Sequence, residues 1–189
     1  LVRNSARQRS QRTVLGCGFV LSVGTVVLIL SAALAYASLT GGLPSIDELP
    51  ILLNPQNGLL LEPTRLYDRT GKHLLAALAP SDATRVYALL NQLPQSLLDA
   101  TIAVAQPDFR DSPGYAVAGW QDPQTHPTLA QQLVYSLLLW DEPASTRRAI
   151  HERMLAAQVT ASFGRNQVLE WYLNSADYGH YAYGAEAAA

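Results

Sequence analysis

The stretch "ASTRRAIHERMLAAQVTASFGRNQVLEWYLN", residues 144–174, holds two helical segments separated by one glycine. The first segment, from Ala144 to Phe163, predicts one long helix. Gly164 is the residue type that commonly ends a helix, and "QVLEWYLN" resumes a helical pattern after a minimal turn. This part of the chain is therefore predicted to be an α-helical pair.

Two segments upstream also show helical spacing of apolar residues. "LPQSLLDATIAVA" (93–105) has Pro94 just inside a helix start, and "TLAQQLVYSLLL" (128–139) carries a stripe of leucines. The expected apolar face of the first comprises Leu97, Leu98, Thr101, Ile102 and Ala105, and that of the second Leu129, Leu133 and Leu137.

A short extended element precedes these helices. "TRLYDRTGKHLLAAL" (64–78) alternates in polarity, turns at residues 69–71 and becomes apolar again from Leu74, which predicts a β-hairpin. The fold class predicted is thus mainly α, with a small extended element near the membrane segment described next.

The N-terminal part of the chain predicts one membrane-spanning helix. No charged residue occurs between Val14 and Ile46, and the apolar centre, residues 14–39, is longer than the ~20 residues that cross a bilayer. The segments expected around it are a basic cytoplasmic tail (1–13), a juxtamembrane linker (40–63) rich in Gly, Pro and acids, and an outer domain (64–189).

The charge distribution sets the expected orientation. Four arginines precede the apolar segment, which places the N-terminus in the cytoplasm and the domain on the outer face by the positive-inside bias. A cleaved signal peptide is the alternative, because "AYA" (35–37) resembles a small-residue cleavage site. The arginines are Arg3, Arg7, Arg9 and Arg12.

Composition excludes several classes of function. The chain has 189 residues, of which 49% are hydrophobic, and a net charge of −2, which gives no reason to propose a nucleic-acid partner. The single Cys17 excludes an internal disulfide and a cysteine-rich zinc site. Four scattered histidines show no metal-ligand spacing, so no metal site is predicted from the residues.

Five local patterns, taken in order, resemble the peptidoglycan glycosyltransferases of glycosyltransferase family 51. These are the N-terminal domains of class A penicillin-binding proteins and the monofunctional transglycosylases. The resemblance covers residues 60–189 and implies a helical, lysozyme-like domain that polymerises lipid II, or extends a nascent glycan strand, outside the bacterial cytoplasmic membrane. It also implies a divalent cation, Mg or Mn, and cell-wall synthesis proteins as partners. The patterns are "RLYDRTGKHLL", "TLAQQL", "RRAIHE", "VLEWYLN" and "YGHYAYGAEAAA".

The first motif of that family is altered here. The resemblance, anchored on Phe109 and Gly114, puts Ala105 where the family has its catalytic Glu, Gln106 where it has Asp, and Ser112 where a His is usual. Neither Ala nor Gln accepts a proton at neutral pH. The general base that a hydroxyl nucleophile needs is therefore expected to be missing.

Asp108 is the nearest carboxylate that could substitute for this base. It lies three residues beyond Ala105 and would share a helical face with it, although Pro107 argues against a continuous helix there. The alternative is that Asp108 and Asp111 are solvated acids of a turn.

The second motif is partly kept. Thr128, Gln131 and Gln132 match substrate-binding positions of the family, whereas Thr125 and His126 replace two glycines. Losing those glycines removes close backbone approach to a ligand. The alternative for the glutamines is a polar helix face.

The third motif retains Arg148 at a diphosphate-contacting position and Glu152 at the second acidic position, whereas the customary Lys is Ala149. The alternative for Arg148 and Glu152 is an i,i+4 ion pair on a helix surface. His151 is expected to be exposed.

The fourth and fifth motifs are intact and are expected to be architectural. Trp171 and Leu173 fit a core, and Glu170 and Asn174 are polar residues that can hold neighbouring backbone. The remaining motif positions are Tyr172, Tyr183, Gly184 and Glu186.

Packing motifs thus survive while groups for proton transfer are lost. We expect a membrane-anchored domain of this family that is impaired or inactive, a pseudoenzyme. The alternatives are an active glycosyltransferase with Asp108 as displaced base, and a non-catalytic scaffold for lipid II or a cell-wall partner. We also expect the chain to be a fragment, with the rest of the domain, and in a class A protein a transpeptidase domain, beyond Ala189.

Overall fold

The computed structural model describes residues 22–62, 64–78, 86–119, 121–122, 124–179 and 182–189. The predicted basic tail, the first residues of the predicted membrane segment and Cys17 lie outside these ranges. The chain divides into two compact units after Leu43.

The first unit contains helix α1, Ser22–Thr40, with 19 residues and a mean hydropathy of 1.9. None of its apolar window is buried, and its length and composition suffice to cross a membrane. A signal sequence near the N-terminus has the same properties, so both hypotheses for this segment fit the helix.

The second unit begins within the predicted linker, which is folded in part. A 3-10 turn at Ile46–Glu48 leads into helix α2, Leu49–Leu52, and a further 3-10 turn covers Leu59–Leu61. Leu49 is fully buried and Leu53 nearly so, because these leucines pack into the unit rather than extend away from it.

The predicted hairpin is confirmed. Strand β1, Thr64–Tyr67, pairs antiparallel with strand β2, Leu74–Leu78. The Asp68 carboxylate closes the turn, since it accepts hydrogen bonds from the backbone N–H groups of residues 70, 72 and 73. Gly71 follows with a φ of 71°, which suits a residue without a side chain.

The helices of the second unit form its core and confirm the mainly α fold class. Besides α2, they are α3 (Gln95–Ala105), α4 (Leu129–Leu137), α5 (Thr146–Phe163), α6 (Arg165–Ser175) and the short α7 (Ala185–Ala188). Helix α4 packs against both α5 and α6, and these two also contact each other. The buried apolar side chains of this trio include Leu129, Leu133, Val134, Leu155, Ala156, Val159, Val168, Leu169, Trp171 and Leu173.

Gly164 separates α5 from α6, as its position in the sequence predicts. Its φ of 81° and ψ of 162° fall in a region that is almost restricted to glycine. A single residue therefore separates the two long helices.

Candidate active site

A cavity of about 600 Å³ lies in the second unit, and aromatic, polar and leucine side chains line it. Its aromatic and polar lining includes Tyr87, His126, Gln132, Tyr135, Tyr172, Asn174, Asp177 and Tyr183, and its leucines are Leu52, Leu53, Leu60, Leu61 and Leu137.

Glu152 anchors a hydrogen-bond network beside this cavity. Its carboxylate is 1% exposed. The Gln131 side-chain amide donates to its Oε1 at 2.7 Å, and His126 Nδ1 lies 2.6 Å from its Oε2. Burial raises the pKa of the Glu152 carboxyl, and the contacts with Gln131 and His126 act in the opposite direction. An acid of the third motif is thus joined to two residues of the second.

The Tyr135 ring contacts two side chains of the second and third motifs, His126 and Arg148. The His126 ring stacks on the Tyr135 ring with 3.9 Å between centroids and 17° between planes. The Arg148 guanidinium carbon lies 5.0 Å from the centroid of the same ring, and its Nη1 donates to the Glu142 carbonyl at 2.8 Å. Arg148 is buried and does not line the cavity, although the resemblance places it at the diphosphate.

The first motif lies at the end of α3. The helix ends at Ala105, which is half-buried, and Asp108 and Asp111 are exposed on the turn that follows. Neither acid lines the cavity. The structure therefore supports the interpretation of both as solvated turn acids and gives Asp108 no contact with the cavity.

Gln106 has a structural contact instead of a catalytic one. It is buried, and its Oε1 accepts a hydrogen bond from the Leu129 N–H at the start of α4 at 3.0 Å. Its Nε2 is buried without a partner among the described residues. The side chain therefore ties the end of α3 to the start of α4.

Gly114 of the first motif and Thr128 of the second are joined by a hydrogen bond. Gly114 has a φ of 92°, and a Cβ there would lie 2.0 Å from Thr160 Oγ1. Thr128 caps α4, since its Oγ1 accepts from the Gln131 N–H, and the same hydroxyl donates to the Gly114 carbonyl at 2.7 Å. Phe109 is buried under this turn and Ser112 with it.

The paired glutamines have different environments. Gln131 is fully buried and also accepts from the Ala116 N–H at 2.9 Å, so the alternative of a solvated polar face is wrong for it. Gln132 lines the cavity, and its Nε2 donates to the His126 carbonyl at 3.1 Å. Of the four predicted substrate-binding residues, Gln132 is the one on the cavity lining.

The expectation that His151 is exposed is wrong. His151 is 2% exposed, and its Nδ1 lies 3.1 Å from Glu142 Oε2. The residue can be buried because this carboxylate provides a partner for the imidazole.

The fourth motif clamps an extended segment onto α6, as its expected architectural role requires. Glu170 accepts from the Tyr87 hydroxyl at 2.7 Å and from the Leu90 N–H at 2.8 Å. Asn174 accepts from the Ala88 N–H at 2.8 Å and donates to the Ala88 carbonyl at 2.9 Å. Together they hold Tyr87 at the cavity wall.

The fifth motif closes the same wall. Tyr172 and Tyr183 line the cavity, and Gly184 has a φ of 89° with a position for Cβ only 3.0 Å from the Asn174 carbonyl oxygen. Glu186 is exposed. The tyrosines therefore belong to the site, although the sequence indicates only architecture for them.

Sequence reasoning missed Tyr135 and Arg153. Arg153 donates to the backbone carbonyls of Ala116 and Ala118, and so holds the connection between the first two motifs. The sequence shows that His126 replaces a glycine of the family, but it does not show that Glu152 is the partner of His126. Its spacing from Glu152 gives no signal, because the contact spans 26 residues across two elements.

The donors present do not fit a divalent cation held by the protein alone. Within the described ranges no group of three or more His, Cys, Asp or Glu side chains is placed to hold a metal ion. Both carboxylate oxygens of Glu152 already have protein partners.

Comparison with known proteins gives one consistent result. Residues 71–189 match the transglycosylase family model. The chain is 32% identical over 140 residues to penicillin-binding protein 1A of Rickettsia typhi, covering 67% of this chain and 17% of that protein. It is 31% identical over 118 residues to the biosynthetic peptidoglycan transglycosylase of Stutzerimonas stutzeri, covering 57% of this chain and 48% of that protein. It is 26% identical over 182 residues to penicillin-binding protein 1A/1B of Bacillus subtilis, covering 90% and 19%. The chain thus spans less than half the length of each of these relatives.

Proposed function

This chain belongs to the transglycosylase family, the peptidoglycan glycosyltransferases, and from that premise we propose that it is a membrane-anchored domain that binds lipid II or a nascent glycan strand and polymerises it slowly. The proposal depends on Ala105, the last residue of α3, which the resemblance places where the family has its catalytic Glu.

The reaction explains why this residue matters. A sugar hydroxyl attacks an anomeric carbon and must lose its proton, and a positioned general base contributes about 10²–10⁴-fold to such a step. Ala105 has no group that can accept it. Asp108 is exposed on the turn that follows α3 and so does not continue the helical face of Ala105, which argues against it as a replacement.

Binding is supported by the cavity itself. Four tyrosines line it, and aromatic rings together with a few placed polar groups are the usual lining of a ligand site. Gln132 and Asn174 supply polar groups beside them. The family's basic patch is reduced, because Ala149 replaces the Lys and the Arg148 guanidinium donates to a backbone carbonyl.

Membrane attachment and a cation belong to the same proposal. Helix α1 is the proposed anchor, with the arginine-rich N-terminus in the cytoplasm and the domain on the outer face. Since no group of donors among the described residues is placed to hold a metal ion, a divalent cation would come to the site with the substrate diphosphate.

Binding is tested with the full chain in detergent and a short-chain lipid II analogue, by isothermal titration calorimetry. Ser136 lines the cavity and is exposed, so Ser136→Phe is expected to fill it and weaken binding at least about 10-fold. Ser162 is exposed on α5 and does not line the cavity, which makes Ser162→Phe the matched control with unchanged affinity. No binding by the native chain, or equal loss in both variants, contradicts the proposal.

Polymerisation of labelled lipid II separates the alternatives. We expect slow product formation that Asp108→Asn does not change. Abolition by Asp108→Asn would establish a displaced base at that residue. Binding with no product at all would favour a non-catalytic scaffold.

A further inference from the structure

We propose that His126, held by Glu152, is the proton acceptor for the slow glycosyl transfer of this domain. The inference rests on the proposed function, since it requires that the acceptor sugar enters the cavity. It assigns a catalytic role to a residue that stands where the family has a glycine.

His126 and Glu152 are in direct contact beside the cavity. His126 lines the cavity, whereas Glu152 is almost completely buried beside it. We assign the imidazole hydrogen to Nδ1, which lies 2.6 Å from Glu152 Oε2, because an ionised carboxylate accepts a hydrogen bond; this tautomer leaves the lone pair on Nε2. Among the described residues, Nε2 has no hydrogen-bond partner. A carboxylate that fixes the tautomer of a histidine is the arrangement that makes imidazole a general base.

Neighbouring side chains hold both His126 and Glu152 in place. The His126 ring is stacked on Tyr135, and its backbone carbonyl accepts from Gln132. Glu152 is fixed from the other side by the Gln131 amide. A base that is already oriented loses little entropy when the acceptor arrives.

The His126 Nε2 takes the proton of the acceptor hydroxyl, while the hydroxyl oxygen forms a bond to the anomeric carbon of the donor. The bond between that carbon and the diphosphate oxygen breaks, and its electron pair leaves with the diphosphate. The imidazolium that results is stabilised by Glu152 and returns its proton to solvent water.

Several charged groups surround the pair and set its pH response. Glu152 contacts the ring directly, and Asp122 interacts with it electrostatically from the preceding loop. Arg148 lies over the Tyr135 ring that His126 stacks on, and Arg153 interacts with Glu152.

The test is the initial rate of polymerisation of labelled lipid II by the full chain between pH 5 and 8. We expect the rate to fall on the acid side as the imidazole is protonated. His126→Gln, which cannot accept the proton, is expected to lower the rate at least about 10²-fold and to remove the acid limb, with affinity for the lipid II analogue changed less than about 3-fold. Glu152→Gln is expected to lower the rate as well, because an amide no longer fixes the tautomer of the imidazole.

The control is the other buried His–carboxylate pair. His151 contacts Glu142 and does not line the cavity, so His151→Gln removes a similar contact without touching the proposed base. Its rate and pH profile are expected to match the native chain, with folding of every variant checked by circular dichroism. Should His126→Gln fold poorly, His126→Ala supplied with millimolar imidazole is expected to recover activity.

Three results would overturn the inference. They are an unchanged rate in His126→Gln, an equal loss in His151→Gln, and no turnover by the native chain at any pH. The last result, with binding of the analogue retained, rejects His126 as a base but leaves the substrate-binding part of the proposed function intact. Failure of the native chain to bind the analogue would instead contradict the proposed function itself.

Discussion

His126 Nδ1 lies 2.6 Å from Glu152 Oε2, and this contact joins the loop before α4 to the buried face of α5. The second motif and the third therefore meet beside the cavity, while α3 ends at Ala105, the first residue of the first motif, which has no carboxylate. The cavity that we propose to bind the substrate is therefore lined by His126, whose imidazole contacts Glu152.

Removing the Asn174 side chain should destabilise the domain. Its amide satisfies both backbone groups of Ala88, and Asn174→Ala leaves them unpaired, at a cost of about 1–3 kcal/mol in the free energy of unfolding. Urea unfolding followed by circular dichroism measures this cost. Asn166→Ala, an exposed position on the same helix, is the control and should change stability by less than about 0.5 kcal/mol. Equal stabilities of the two variants would contradict the clamp.

A side chain at Gly114 should lower the free energy of unfolding for two reasons, a clash with Thr160 and an unfavourable backbone conformation. Gly114→Ala places a Cβ against Thr160, whereas Gly164→Ala meets no atom within 4 Å, and both glycines have positive φ. In each variant, the strained backbone should lower the free energy of unfolding by about 1–3 kcal/mol. The clash should cost Gly114→Ala about 1–3 kcal/mol more, seen as a lower Tm. A higher Tm for Gly114→Ala than for Gly164→Ala would exclude the close packing against Thr160.

Tyr87 should make stability fall at alkaline pH. Burial raises the pKa of its phenol, and the hydrogen bond to Glu170 raises it further. Above pH about 10 the unfolded chain releases this proton while the folded chain keeps it, so stability decreases as pH rises. Urea unfolding from pH 9 to 11 should therefore show a steeper loss for the native chain than for Tyr87→Phe. Parallel slopes would show that Tyr87 titrates alike in both states.

Helix α1 should retain the chain in membranes. Leu30 and Leu34 are exposed on it, and an Arg near the middle of a membrane helix costs about 2.5–3.5 kcal/mol. The double variant Leu30→Arg, Leu34→Arg should leave the membrane pellet after carbonate washing, whereas replacement of both by Ala should not. Release of a native chain shortened after residue 37, detected by mass spectrometry, would favour the cleaved signal instead.

The sequence predicts local structure well because local rules govern it. Gly164 ends α5, the leucine stripe marks the buried face of α4, and the turn after Asp68 defines the hairpin. Each of these features depends on residues within one or two turns of each other.

The site is only partly predictable because its contacts join distant segments. The spacing within α5 places Arg148 and Glu152 on one face, but it does not reveal that Glu152 binds His126 or that His151 is buried against Glu142. These partners depend on how the loop after Gly114 folds over α5, and the backbone bonds of Arg153 help to set that path.

The polymerisation rate of Ala105→Glu tests whether the missing carboxylate impairs the domain. Ala105 is half-buried at the end of α3, where the resemblance places the catalytic Glu, so a Glu there would restore the carboxylate that Ala lacks. Ala103→Glu, an exposed position on the same helix, is the matched control. We predict that Ala105→Glu polymerises lipid II about 10²-fold faster than the native chain and that Ala103→Glu does not differ from it. A native chain as fast as Ala105→Glu would contradict the claim that loss of this carboxylate impairs the domain.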